Sequence, residues 1–189
     1  MSINDFKYRD GLWAYSARLP NTKRVTLTYA GNAWHGVQAR CLPHAAGPAP
    51  RQCGFADFQQ FAEWFVRQPA YSFPGGADLD KDLLYQGNTL YSPETCLLLP
   101  PEINGFVVYK PPGQKGLPPG VSKRPGRSYE SRICEFRERR LVGKFKSAEA
   151  AHAAYREAKM QRAAQLVAKY AEYLPAAAIE ALLNYHTRV

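Results

Sequence analysis

The amino-acid sequence predicts an α+β protein built from small elements, and three patterns in it say so. Short runs alternate apolar and polar residues, as at Val25–Tyr29. A helical stripe of rings recurs at Phe55, Phe58, Phe61, Ala62 and Phe65. Near the C-terminus, three strand-like segments precede a long alanine-rich helical pattern. Alternation of period two marks half-buried strands, and recurrence at three and four residues marks an amphipathic helix.

Taken in order, Val25, Leu27 and Tyr29 alternate with Thr26 and Thr28, which gives a short strand. Gly31-Asn32 turns the chain into a helical patch with Trp34, Val37 and Cys41 on one face. The stretch from Pro43 to Pro50 is a loop, rich in proline, glycine and alanine. A helix runs over 57–66, closed by Pro69, Pro74 and Gly75-Gly76. Between residues 78 and 104 two short extended pieces are expected, with turns at Gly87 and Ser92-Pro93. Leu97, Leu98 and Leu99 read as buried, with helical turns near Glu94 and Glu102. The sequence PPGQKGLPP at 111–119 carries too many helix and strand breakers for an element, so it is the expected linker.

Beyond the linker, strands are expected from Val121, over Tyr129–Phe136 and over Arg140–Phe145. In the second, Tyr129, Ser131 and Ile133 share one face, and Glu130, Arg132, Cys134 and Phe136 the other. Ser147 is a natural N-cap, because its hydroxyl accepts an otherwise unpaired amide of the first turn. Ala148, Ala151, Tyr155 and Ala158 give the following helix a face small enough to lie close on a sheet. Helical pattern continues through Leu166, Val167 and Tyr170, and Pro175 opens a last helix carrying Ile179, Leu182 and Leu183. The domain reading is therefore 1–110, a linker at 111–119, a sheet-plus-helix module at 120–160 and a helical extension at 161–189.

Composition narrows the function classes. Apolar residues make up 46% of the 189 residues and charged ones 22%, the balance of a folded chain. No run approaches the length of apolar residues that spans a bilayer, and no secretory leader opens the sequence, so a cytoplasmic protein without a membrane partner is expected. Cys41, Cys53, Cys96 and Cys134 are widely spaced and form no CxxC pair, which reads as four reduced, mostly buried thiols.

The net charge of +9 is unevenly placed. Residues 1–110 hold 10 basic and 9 acidic side chains, whereas 111–189 hold 15 and 7. Within 111–146 the balance is 10 to 3. Such an excess is a surface on which phosphates release their counterions. A narrow antiparallel sheet also fits the major groove of duplex DNA, where base edges are distinguishable. Ser122, Arg124, Arg132 and Arg139 are expected on the open face of the sheet, the arginines offering forks that match guanine. Lys123, Arg127, Arg137, Arg140, Lys144 and Lys146 are expected on phosphates, which set register without reading sequence. A one-residue slip in strand register would exchange the two faces.

The segments Gly120–Lys123, Tyr129–Ile133, Leu141–Ala151 and Ala154-Tyr155 resemble the ethylene-response-factor type of DNA-binding domain. That resemblance implies three strands on one helix, with the sheet in the major groove. Leu141 departs from it, standing where such domains often carry a DNA-contacting tryptophan.

Upstream, Asp78, Asp80 and Asp82 alternate, so an extended strand would turn all three carboxylates one way. Closely set carboxylates suit Mg²⁺, with Asn88 and Asn104 as further oxygen donors and Lys81 as a phosphate neutraliser. The alternative is a solvent-facing turn. Trp34, Arg40-Cys41, Phe58, Phe61, Trp64, Leu79–Asp82, Gly87-Asn88, Tyr91–Cys96, Pro100 and Ile103-Asn104 resemble phage-encoded homing endonucleases of the HNH class.

That resemblance implies a ββα centre with Mg²⁺ or Mn²⁺ on Asp80 and Asn104, and catalytic roles around Asp80, Lys81, Asp82 and Asn88. It also implies double-stranded DNA as substrate in a host cytoplasm. The sequence departs from it at Lys81, where the class carries a histidine base; a lysine is protonated at neutral pH. Two readings follow: a divergent metal-dependent endonuclease, or an inactive derivative that binds DNA or inhibits a host protein.

Overall fold

A computed structural model describes residues 4–19, 22–43, 50–107, 116–123, 128–135 and 138–185. The chain is α+β, with several small sheets and five α-helices among the described residues. It divides into two compact units, Met1–Leu98 and Leu99–Val189.

The first unit opens with an antiparallel hairpin, β1 (Ser16–Arg18) and β2 (Val25–Leu27), followed at once by α1 (Tyr29–Cys41). Thr28 caps α1, its hydroxyl oxygen accepting from the Gly31 amide at 3.0 Å and donating to the Ala14 carbonyl at 2.8 Å. A Cβ on Gly31 would stand 2.1 Å from the Tyr15 carbonyl oxygen, so only glycine lets helix and strand approach this closely. The helix is longer than the patch expected around Trp34–Cys41, because this cap starts it at Tyr29. Next come β3 (Gln52–Cys53) and α2 (Phe58–Val66), the latter capped by Asp57, whose carboxylate accepts from the Gln60 amide at 2.9 Å.

The ring stripe of α2 faces the core as its spacing predicts. Phe61 and Phe65 are fully buried, Phe61 touches Trp34 and Phe55 at ring separations of 5.2 and 5.0 Å, and Phe65 meets Tyr29 edge-on at 4.9 Å. Edge-to-face rings add to the burial of this much apolar area. After a 3₁₀ turn (Pro69–Ser72) come β4 (Asp78–Asp80), β5 (Leu90–Tyr91) and β6 (Leu97–Leu99). β3 pairs with β5 in parallel, β4 pairs with β6, and Leu97, Leu98 and Leu99 are all buried.

The second unit begins with α3 (Pro101–Val107). Its sheet is β7 (Val121–Lys123), β8 (Tyr129–Glu135) and β9 (Glu138–Phe145), antiparallel in that order. Helix α4 (Ala148–Tyr170) lies on one face of it, started by Ser147, whose hydroxyl accepts from the Ala150 amide at 3.1 Å. Val121, Ser131 and Ile133 of the sheet and Ala151 and Ala158 of the helix are buried. Gly120, at φ 75°, leads into β7, and a Cβ there would lie 2.1 Å from the Tyr155 ring. After a 3₁₀ turn (Ala171–Tyr173), α5 (Ala176–Leu183) closes the chain, with Pro175 as its N-cap rather than its first residue.

Two boundaries differ from expectation. The division falls at Leu98–Leu99 and not in the 111–119 run, because α3 is bonded into the second unit. Glu102 of α3 accepts from Arg162, from Lys169 at 2.7 Å and from the Tyr170 hydroxyl at 2.5 Å. Lys159 donates to the Phe106 carbonyl at 2.9 Å and the Tyr185 hydroxyl to that of Val107 at 2.7 Å, which satisfies orphan carbonyls at the end of α3. Likewise α4 runs unbroken through residue 160, its buried stripe continuing at Ala163, Leu166 and Tyr170. Among the described residues no helix is long and apolar enough to cross a membrane.

Candidate nucleic-acid interface

The face of the sheet opposite α4 is set by register. Ser122, Glu130 and Lys144 form one row across the three strands. Arg132 stands opposite Leu141, and Cys134 opposite Arg139. Directly paired residues project to the same side. Val121, Ser131 and Gly143 form the matching row against the helix, with Ile133 opposite Arg140.

The two rows coexist because β9 carries one extra residue. Ser131 pairs with Gly143 while Arg132 pairs with Leu141, leaving Val142 unopposed in a bulge. Strict alternation from Arg139 would put Gly143 and Phe145 on the open side. The bulge reverses the phase, so Lys144 joins Arg139 there.

The expected contact residues therefore separate. Ser122, Arg139 and Lys144 are exposed and lie on the open face. Arg132 is on that face too, but its guanidinium is not free: Nη2 donates to Glu130 Oε2 at 3.1 Å. Glu130 sits two residues away on the same strand, its side chain only 14% exposed. So the expectation of an unengaged Arg132 fork is corrected. The Arg132 side chain is itself 36% exposed, so a stronger ligand could still reach it.

Arg140 falls on the helix-side row, exposed at its rim, and Lys123 alternates away from Ser122, its ammonium 4.5 Å over the Tyr129 ring. Lys146, just past β9, is exposed. Arg124, Arg127 and Arg137 lie outside the described residues. Leu141 is 40% exposed, opposite Arg132.

One polar atom on the covered side is unmatched. Ser131 is fully buried and its hydroxyl has no hydrogen-bond partner. Half-buried Cys134 and buried Cys96 carry free thiols, as do half-buried Cys41 and Cys53, so burial is less general than expected.

The acidic segment of the first unit is built differently. Only Asp78 and Asp80 belong to β4; Asp82 lies past its end, so the three carboxylates do not share one strand face. Asp80 is buried, and its Oδ1 accepts from the amides of Asp82 at 3.1 Å and Leu83 at 2.7 Å. Burial pushes its carboxyl above the usual range, the two amides partly opposing the rise.

The Lys81 ammonium bonds to Asp82 Oδ1 at 2.7 Å and to the Asn88 carbonyl. Asn88 donates to the carbonyls of Lys81 at 3.1 Å and Leu90 at 2.6 Å, and accepts from the Leu90 amide at 2.9 Å. Asp80 Oδ1, Asp82 Oδ1, the Lys81 ammonium and the Asn88 amide are thus engaged in tying the 80–90 turn to itself. Burial holds the neighbouring Cys96 thiol up at about 11.

The metal centre that the HNH resemblance implies would have to draw on donors that already make these bonds. A divalent ion at Asp80 would compete with two backbone amides and stand beside the Lys81 ammonium. The amide oxygen of Asn88 is already engaged. Asn104 belongs to α3, in the second unit. Among the described residues, no group of three or more His, Cys, Asp or Glu side chains is arranged to hold a metal ion. His35 is exposed on α1, and His152 bonds to the Pro119 carbonyl at 3.2 Å. His44 and His186 are outside the described residues.

A polar pair that the sequence did not announce lies near β5. Arg40, at the end of α1, donates through Nε to the buried Tyr91 hydroxyl at 2.8 Å. Gly36 leaves room for that guanidinium, since a Cβ there would be 3.2 Å from Arg40 Nη1.

No known protein-family model, curated protein or solved structure matches this chain.

Proposed function

We propose that the open face of the β7–β8–β9 sheet seats in the major groove of double-stranded DNA. The observation carrying this reading is that the bulge at Val142 brings Lys144 onto the same uncovered face as Arg139, Arg132 and Ser122. Cationic groups on a narrow ribbon suit phosphates at the groove edges and base edges within it. Leu141 is available for apolar contact with a thymine methyl. The charge excess of 111–146 supports the same partner through counterion release.

Titration of the full chain with a labelled duplex over a salt series tests this. Replacing Arg139 and Lys144 together by alanine is expected to weaken binding about tenfold and to lower the salt slope by about 2. An affinity and slope unchanged by both substitutions would remove this face from the interaction.

Metal-dependent cleavage is a separate proposal, and the side chains around Asp80 speak less for it, since they are engaged in the turn. Incubating the protein with duplex DNA and Mg²⁺ or Mn²⁺, beside an Asp80→Asn variant, decides it. Cutting by the native chain alone would establish the endonuclease; binding without cutting would leave a DNA-binding protein. Capture of a host protein by the first unit predicts instead a complex that survives the Arg139/Lys144 substitutions.

A further inference from the structure

The opening of the first unit concentrates exposed rings and unengaged cations. Lys7 and Trp13 bridge across a tight turn in which the Tyr8 amide donates to the Leu12 carbonyl at 2.8 Å and Gly11 takes φ 84°. The Leu19 amide donates to the Arg24 carbonyl at 2.9 Å and closes the β1–β2 hairpin. The Tyr8 hydroxyl donates to the Ser16 carbonyl at 3.1 Å, which ties the first turn to β1. The two hairpins, joined by that bond, form a ledge of the first unit.

Ten large apolar side chains are exposed among the described residues, and five of them, Phe6, Tyr8, Leu12, Tyr15 and Val25, fall on this ledge. Single exposed apolar residues are ordinary, but a cluster marks an interaction surface. The rings keep substantial accessible area: Tyr8 is 50%, Phe6 38% and Tyr15 37% exposed. Phe6 and Tyr8 meet edge to face at 5.5 Å, which holds both in place.

The charges there are mostly positive. Asp5 is consumed, accepting from the Ala30 amide at 2.8 Å and the Tyr71 hydroxyl at 3.1 Å. Asp10 accepts from the Leu12 amide at 3.0 Å. Arg9, Arg18, Lys23 and Arg24 are exposed and have no carboxylate partner among the described residues.

We propose that this ledge binds single-stranded nucleic acid, with bases against Phe6 and Tyr8 and phosphates on Arg9, Arg18, Lys23 and Arg24. A duplex hides its base faces in the stack and could use only the cations. An apolar protein surface could use the rings but would strip water from four unpaired charges. A single strand offers π-faces and phosphates together, the combination that non-sequence-specific strand binders exploit.

The test measures anisotropy of the full-length chain with an oligothymidylate and an oligouridylate of about 20 nucleotides, beside a duplex. The double variant Phe6→Ala/Tyr8→Ala is expected to lose about tenfold or more in single-strand affinity, the scale of base–aromatic stacking, with duplex affinity unchanged. Tyr8→Phe keeps the ring and should retain binding, which separates stacking from loss of the Ser16 contact. Arg9→Gln/Arg24→Gln should lower the salt slope for the single strands, and equal thermal melts confirm folding of each variant. Better binding of one oligomer identifies DNA or RNA as the source, and either result supports the ledge.

Three results would overturn the proposal: no binding of either oligomer, single-strand affinity unaffected by removing both rings, or competition by polyglutamate as effective as by oligonucleotide. Arg139→Ala/Lys144→Ala should leave single-strand affinity intact. Loss of duplex binding in that variant, with single-strand binding kept, keeps the two surfaces distinguishable.

Discussion

The 78–90 segment of the first unit and the sheet of the second are both dense in charge, yet they use it in opposite ways. Asp80, Lys81 and Asn88 direct their side chains at neighbouring backbone and at one another. Arg139 and Lys144 are exposed on a flat face and contribute nothing visible to the unit's own cohesion. A polar side chain whose bonding capacity is filled internally stabilises the fold; one left facing water is available to a ligand. Residue type alone cannot make this distinction, and geometry can.

Substitutions should separate the two regions by what they damage. The largest effect is expected from Gly120→Ala, which forces a left-handed φ and a 2.1 Å contact with the Tyr155 ring on an L-residue. A loss of about 3 kcal/mol or more in the second unit's unfolding free energy is expected by chemical denaturation. A loss below ~1 kcal/mol would mean that Tyr155 moves aside freely.

Asn88→Ala removes three hydrogen bonds and strands the Lys81 and Leu90 groups they satisfied. About 2–3 kcal/mol should be lost from the first unit, with duplex binding unaffected. Ser131→Ala takes away a buried hydroxyl without a partner, so a gain of about 1 kcal/mol is expected. Arg139→Ala and Lys144→Ala should each change stability by less than ~0.5 kcal/mol, so that any binding defect reports on contact and not on folding.

The comparison sharpens with pH. Asp80, raised by burial, is harder to ionise in the folded state than in the unfolded one, so its contribution disfavours folding as pH rises above about 3.9. Asp80→Asn should therefore leave the protein no less stable at neutral pH, with a flatter profile above that point. Glu63 behaves in reverse. Bonds from Trp13 and Lys7 hold it down at about 2, so its stabilising effect is complete above its unfolded value near ~4.3 and is lost as pH falls toward 2. Glu63→Gln should flatten the acid limb between those values in a thermal-melt series.

Much of this fold was legible in the sequence because local rules governed it. The α2 ring stripe, the Ser147 cap, the buried leucine trio and the face assignment of Ser131 and Ile133 all follow from periodicity and capping chemistry. What was not legible depended on distant partners. Nothing near Glu102 in sequence announces Arg162, Lys169 and Tyr170, and those bonds move the unit boundary to Leu98–Leu99. Alternation puts Glu130 and Arg132 on one face, but the ion pair between them depends on their rotamers. The alternating aspartates misled because β4 ends at Asp80, where the carboxylate accepts the amides of Asp82 and Leu83 in the turn that follows.

The unopposed Val142 lets Arg139 and Lys144, five positions apart, face the same way. Excising that one residue would leave them four positions apart in an unbroken alternation, still on one side of the ribbon. The outward side chains would thus survive the loss of one codon, a change that substitution scanning would never sample.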